Sequence, residues 1–215
     1  FVHRQTANED IYFVANTSNL KKNVEISFRN TKATVEILNA MDGSVSSANV
    51  NSRGENSTSV VLNFEPYQSH VVVFSNNKPK HPSAKPQLSN FSAIDLSSDW
   101  KVSFGKNAPV SMNKLTDWIS SEETKYFSGT ATYEKTFDAP ANIVDGEVTL
   151  DFGEAISLDF TPQRNGMATY LDAPVKEAAV VYINGQRAGS VWSPPYNLDV
   201  TQFLKTGENT LKVEV

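Results

Sequence analysis

His3, His70 and His81 are the side chains best suited to proton transfer or metal binding near neutral pH, and they lie far apart in the sequence. None has the short spacing of a metal-binding pair. His70 opens an apolar run and reads as an ordinary exposed or edge residue, while His81 falls in a proline-rich stretch. His3, followed by Arg4, is the histidine of interest. The chain carries 24 Asp and Glu residues. Carboxylates that act as an acid–base or nucleophile pair across a scissile bond stand about 5 to 9.5 Å apart, and with so many acids some pair always looks suitable. Glu122 and Glu123 sit on a polar loop and read as solvated surface. Asp151 and Glu154 flank Phe152-Gly153 at a strand end. There, binding of a cation or of hydroxyl groups is the sharper alternative to plain surface. No Gly-x-Ser-x-Gly elbow and no phosphate-binding glycine-rich loop occurs. The chain has no cysteine, which excludes disulfides and thiolate metal sites. No catalytic residues and no metal ligands are expected.

The elements that must position any site are strands. At 215 residues, 39% hydrophobic and 20% charged, the chain is long enough for one large globular domain or two small ones. Helical periodicity is scarce and short alternating runs are abundant. Ile11–Val14, Val24–Phe28, Thr34–Leu38, Val60–Phe64 and His70–Phe74 read as strands, with a turn at Met41-Asp42-Gly43. Glu65-Pro66-Tyr67-Gln68 reads as a short hairpin-like connection. Asn76 to Asn90 carries Pro79, Pro82 and Pro86 among polar and basic residues, as a stiff, extended linker does. Beyond it the strand pattern restarts at Trp100–Phe104, Gly129–Phe137, Val148–Phe152, Val180–Ile183 and Arg187–Trp192. Asn184-Gly185 between the last two is the strongest short hairpin signal. Asp199–Leu204 suits one helical turn before a final strand that starts from Gly207-Glu208-Asn209. Ala155 to Glu177, with Pro162, Gly166 and Pro174, reads as an inserted loop or extra hairpin. The expected fold is all-β, with two β-sandwich domains: a small sandwich over 1–76, a linker over 77–92 and a jelly roll over 93–215.

Two segments carry a family resemblance. His3-Arg4-Gln5-Thr6, followed by Asp10-Ile11-Tyr12-Phe13-Val14-Ala15-Asn16, resembles the segment just after the catalytic barrel in glycoside hydrolase family 106 α-L-rhamnosidases. Gln5 departs from the second arginine of that family's phrase. Leu115-Thr116-Asp117-Trp118 and Lys125–Tyr133 are similar to the start of the family's galactose-binding-like domain. The tail supports this with Ile183-Asn184-Gly185, Val191-Trp192-Ser193-Pro194-Pro195-Tyr196, Asp199-Val200-Thr201 and Gly207–Leu211, phrases also found in sugar-binding domains of family 2 β-glycosidases. The resemblance implies that the second domain is a galactose-binding-like jelly roll. It also implies that a catalytic barrel precedes Phe1 in the parent protein. Phe1-Val2-His3-Arg4, with no initiator Met and no signal peptide, reads as the interior of a longer chain.

On that resemblance the chain is expected to be an accessory region of a glycoside hydrolase, non-catalytic in itself, that recognises carbohydrate or scaffolds the catalytic domain. A purely structural module that packs on the barrel and binds no sugar is the alternative; an independent enzyme using the 155–177 insert is the least favoured. Pyranose rings stack on exposed aromatic faces while polar groups take their hydroxyls. Trp118, Tyr126, Tyr170, Trp192 and Tyr196 are the candidate rings. Trp118 and Tyr126 bracket a charged loop and Tyr170 lies in the insert, so these three are the expected ligand-binding residues. Trp192 reads as a structural plug, and Trp100, Tyr133 and Phe137 as core. His3 and Arg4 are the expected interface with the missing catalytic domain. A rhamnose-containing glycan is the expected ligand. No cofactor is expected: a structural calcium ion would suit a jelly roll of this type, but no Asp-x-Asp run supports one. The net charge of −5 and the lack of a Lys/Arg cluster argue against a nucleic-acid partner. No apolar run approaches the roughly 20 residues of a membrane helix, so no membrane insertion is expected. A periplasmic or extracellular setting follows from the resemblance alone.

Overall fold

The computed structural model describes residues 1–40, 43–77, 93–141, 143, 146–159 and 170–215. The fold is all-β. Among the described residues the only helical elements are short 3-10 turns, including Trp118–Ser120 and Thr201–Phe203. The chain divides into two compact units, one of Phe1–Ser89 with Ser157–Leu171 and the other of Asn90–Ile156 with Asp172–Val215. The expected linker falls almost wholly on 78–92, and residues 41–42 of the expected turn and 160–169 of the insert likewise lie outside the described residues.

The first unit holds β1 (Val2–Gln5), β2 (Glu9–Ala15), β3 (Lys22–Phe28), β4 (Thr34–Leu38), β5 (Val45–Ser47), β6 (Asn49–Arg53), β7 (Thr58–Phe64) and β8 (Ser69–Ser75). They form two antiparallel sheets, one in the order β1-β2-β8-β4-β5 and one in the order β3-β7-β6. Alternation decides what fills the space between them. Tyr12, Val35, Val72 and Phe74 come from the first sheet, and Phe28, Val60, Leu62 and Phe64 from the second; all are buried in one cluster. Tyr12 and Phe28 meet edge-to-face at 4.9 Å, a favoured aromatic geometry. Two expectations change here. Glu65–Gln68 does turn tightly, with the Gln68 N–H donating to the Glu65 carbonyl at 3.1 Å. Yet β7 and β8 do not pair: the turn carries the chain from one sheet to the other, because both flanking strands are apolar enough to line the shared core. His70 is not on an edge, since β8 lies between β2 and β4. Its ring is half-buried against Phe64, and its Nε2 lies 2.7 Å from the Asn63 carbonyl.

The second unit holds β9 (Trp100–Phe104), β10 (Val110–Met112), β11 (Ala131–Ala139), β12 (Thr149–Asp151), β15 (Ala179–Ile183), β16 (Gln186–Val191), β17 (Asn197–Asp199) and β18 (Gly207–Glu214). A short ribbon of β13 (Ile156–Ser157) and β14 (Leu171–Asp172) comes between β12 and β15 in the chain. The main sheet runs β10-β9-β11-β18-β15-β16, and β12 pairs with β17. Leu150 and Leu198 of that pair pack on the core formed by Trp100, Val102, Phe104, Val181, Ile183, Leu211 and Val213. Tyr133 and Phe137 pack against the same core, as their phase on β11 requires. Asn184 and Gly185 make the β15–β16 turn with φ values of 51° and 79°. Positive φ at both central residues is the type I′ condition that Asn-Gly satisfies with least strain.

Candidate functional site

The main sheet of the second unit ends in a row that brings three loops together. Phe104 pairs with Ala131, Ala131 exchanges backbone hydrogen bonds with Val215, and Ala179 pairs with Val191. The Val180–Glu214 pair sets Val215 beside Ala179. Residues 115–127 lead toward β11, which begins at Ala131 beside Phe104, residues 173–178 lead into Ala179, and residues 192–196 leave Val191.

Trp118 is not the exposed platform its surroundings suggested. It starts a 3-10 turn, and its indole packs edge-to-face on Phe104 and Phe127 at 5.6 and 5.5 Å. The indole N–H donates to the Tyr133 hydroxyl at 2.6 Å. Burial pushes the Tyr133 phenol above its ordinary pKa, although this hydrogen bond acts the other way. Tyr126 is the exposed ring of the loop at 87%. Lys125 lies over it at 4.9 Å and pairs with Glu122. Glu122 and Glu123 are exposed, as expected. Trp118→Ala should therefore lower the thermal stability of the second unit, by about 1–2 kcal/mol for a half-buried indole. Tyr126→Ala should leave the melting temperature unchanged, and parallel thermal melts check the contrast.

Trp192 reverses its expected role. It takes no part in the core and is 56% exposed. The reason is parity: Val191 points inward, so the next residue along the strand direction points out. Tyr196, one of the five candidate rings, is buried in the core. Burial pushes its phenol up, with the Glu177 carboxylate adding to the effect. Between the aromatic loops, Lys176 pairs with Asp172 at 2.7 Å. That hydrogen bond raises the Lys176 pKa, and the nearby Asp117 and Glu177 carboxylates add to it. Asp151 accepts from the Gly153 N–H at 2.9 Å and is exposed with Glu154.

Tyr170 falls in the first unit. Its carbonyl accepts from the Leu158 N–H at 2.8 Å and from the Asn19 side-chain amide at 2.9 Å, and Asn19 also reaches the Leu158 carbonyl at 2.8 Å. Its ring is half-buried.

His3 and Arg4 lie on β1. The His3 ring stacks flat on Tyr12 at 4.2 Å, and its Nε2 is 2.8 Å from Asp10 Oδ1. Lys32 donates to the other oxygen of Asp10 at 2.8 Å. Sequence reading singled out His3 but missed Asp10 and Lys32, because Lys32 comes close only when β4 and β2 flank β8. The Lys32 hydrogen bond holds the Asp10 carboxyl below its usual pKa against the opposing effect of burial, and His3 and Asn30 lower it further. A carboxylate with a depressed folded pKa stabilises the fold above its unfolded value of about 3.9, and that contribution is lost as pH falls through the folded pKa. Asp10→Asn should therefore destabilise the first unit at pH 7, and the gap from wild type should shrink below about pH 4. Thermal melts across that range, followed by circular dichroism, check it. Among the described residues no group of three or more His, Cys, Asp or Glu side chains is placed to hold a metal ion.

No family model matches the chain. A curated protein of Formosa agariphila described as "Putative beta-glucuronidase" is 34% identical over 131 residues, which is 57% of this chain and 10% of that protein. The solved rhamnosidase from Novosphingobium sp. PP1Y superposes over 99% of this chain with a TM-score of 0.79 and 24% identity. The chain has the fold of a rhamnosidase segment. That match agrees with the resemblance carried by His3-Arg4 and Asp10–Phe13, and it runs through both units. A partial match to the β-D-glucuronidase of Dictyoglomus thermophilum covers 56% of the chain at 18% identity and a TM-score of 0.41. In each comparison the chain corresponds to a small part of a glycoside hydrolase: 10% of the curated relative and 19% of the rhamnosidase.

Proposed function

We propose that this chain is a non-catalytic accessory region of a larger, rhamnosidase-like glycoside hydrolase, and that its second unit contributes carbohydrate recognition. The observation that carries this reading is the superposition of nearly the whole chain on 19% of a rhamnosidase. Tyr126 is the contact residue best suited to a sugar: its ring is open to solvent, and Lys125 and Glu122 beside it can exchange hydrogen bonds with hydroxyls. Trp118 supports that loop from beneath. A rhamnose-containing glycan is the ligand, and a periplasmic or extracellular setting goes with it. Through His3 and Arg4, β1 is the contact with the parent's catalytic domain; all four of its residues are exposed although the strand is paired. The same exposure favours a second reading, in which the chain only buttresses that domain.

Calorimetric titration of the chain with rhamnose-bearing oligosaccharides tests the first reading. Tyr126→Ala is expected to weaken binding by roughly 3- to 10-fold without changing the melt, on the scale of one aromatic stacking contact. Silence of the wild type on rhamnosylated glycans would favour the buttress. Glycosidase turnover by the chain alone would overturn both.

A further inference from the structure

We propose that the loop end of the second unit binds an extended, uncharged glycan chain, with Tyr126 and Trp192 as stacking platforms at the two ends of its footprint. This rests on the carbohydrate-recognition reading above and adds the length and charge of the ligand. Length follows from the sheet. The loop of Tyr126 is anchored by Phe127 on Phe104, at the end of β9. Trp192 follows β16 directly. Between β9 and β16 lie β11, β18 and β15. Four strand spacings of about 4.8 Å set the anchor points roughly 19 Å apart, farther than one pyranose ring reaches. A monosaccharide can stack on one platform only; a chain of several sugars can use both.

Charge follows from the cations. On residues 115–127, 172–178 and 192–196 the cationic side chains are Lys125 and Lys176. Each is already ion-paired, with Glu122 and Asp172 respectively. Asp117, Glu123 and Glu177 lie on the same loops. Hydroxyls can donate to these carboxylates and accept from the two ammonium groups. A uronate carboxylate would have to share an ammonium group with the acid already paired to it and approach further acids. The exposure of Trp192 supplies the rest: an open indole followed in the chain by the hydroxyl of Ser193 has both elements of a sugar subsite, an apolar face and a polar group next to it.

The test is calorimetric titration of the whole chain with L-rhamnose, with linear uncharged rhamno-oligosaccharides of increasing length, and with chains alternating rhamnose and galacturonate. Affinity is expected to rise at least about tenfold from monosaccharide to the longest uncharged chain, two stacking contacts replacing one. Trp192→Ala should lower affinity for the long chain by roughly 3- to 10-fold, Trp192→Phe should retain most of it, and both should melt like wild type. Galacturonate-containing chains should bind more weakly than uncharged chains of equal length, with the gap narrowing at high salt. Length-independent binding, no effect of Trp192→Ala, or a preference for the galacturonate chains would overturn this inference and leave Tyr126 recognition standing. Absence of binding to every chain would overturn the recognition reading and this one with it.

Discussion

Replacing Asn209 with alanine is expected to destabilise the second unit by about 3–4 kcal/mol, the largest single-site effect predicted for this protein. Asn209 is 0% exposed on β18. Its amide donates to the carbonyls of Lys205 and Gly207 at 2.7 and 2.8 Å. Its carbonyl accepts from the Lys205 N–H at 3.0 Å and from the Asn184 amide at 2.8 Å. Asn184 in turn reaches the Phe203 carbonyl at 2.9 Å and accepts from the Thr210 N–H at 3.1 Å. Asn209 and Asn184 together thus join the β15–β16 turn, the 3-10 turn at Thr201–Phe203 and the start of β18. Alanine leaves two part-buried carbonyls, a backbone N–H and a side-chain amide without this partner, and a buried unsatisfied group costs about 1–3 kcal/mol before relaxation. Asn209→Asp is a sharper test because it keeps the shape. Its carboxylate would face the Lys205 and Gly207 carbonyls as an acceptor against acceptors, so a similar loss is expected at neutral pH. Part should return in acid, when the protonated group regains one donor. All three tryptophans, Trp100, Trp118 and Trp192, belong to the second unit. Denaturant melts followed by tryptophan fluorescence therefore report this unit. A loss below 1 kcal/mol for the alanine variant would show that the three segments hold their places without Asn209.

Gly189→Val should cost about 2–3 kcal/mol, through crowding rather than backbone strain. A Cβ at Gly189 would lie 2.7 and 3.0 Å from the two methyls of Leu198 and 3.4 Å from its Cγ. Gly189 lies in β16 beside a register shift in the β15–β16 pairing, but its φ is outside the left-handed region, so the backbone itself tolerates a side chain. The obstacle is β17, whose Leu198 closes the core over this point. The cause predicts its own remedy. Combining Gly189→Val with Leu198→Ala should cost less than the sum of the two changes by at least about 1 kcal/mol, since each creates the room or fills the space that the other needs. Strict additivity in the double-mutant cycle would mean that Leu198 is not the obstacle.

The two exposed aromatics give the recognition proposal its discriminating power. Tyr126 and Trp192 can be removed at little cost in stability, whereas Trp118 cannot, because its indole is locked against Phe104, Phe127 and Tyr133. A binding defect without a folding defect is therefore expected at the first two positions and excluded at the third.

Much of the local structure is legible in the residues themselves. The alternation of Trp100, Val102 and Phe104 marks β9, and Asn184-Gly185 marks the turn between β15 and β16. Both are consequences of backbone geometry within a few residues: side chains alternate faces along a strand, and a type I′ turn needs two residues that accept positive φ. The motif carried by His3-Arg4 and Asp10–Phe13 pointed toward the rhamnosidase fold for a related reason, since it is a contiguous phrase. What the sequence alone did not decide is every relation between distant segments. Pro66 announced a turn, but only packing of the two apolar faces put β7 and β8 in opposite sheets. Composition around Trp118 and Trp192 assigned one outward and the other inward. The core reversed both, taking the Trp118 indole between Phe104 and Phe127 and claiming Val191, which left Trp192 in solvent. Asp10 found Lys32, Asn209 found Asn184, and Gly189 acquired its need to remain glycine only when β17 came to lie over it. Periodicity fixes which side chains share a face, but the face that is buried, and the partner across it, are set by long-range contacts that no local pattern encodes.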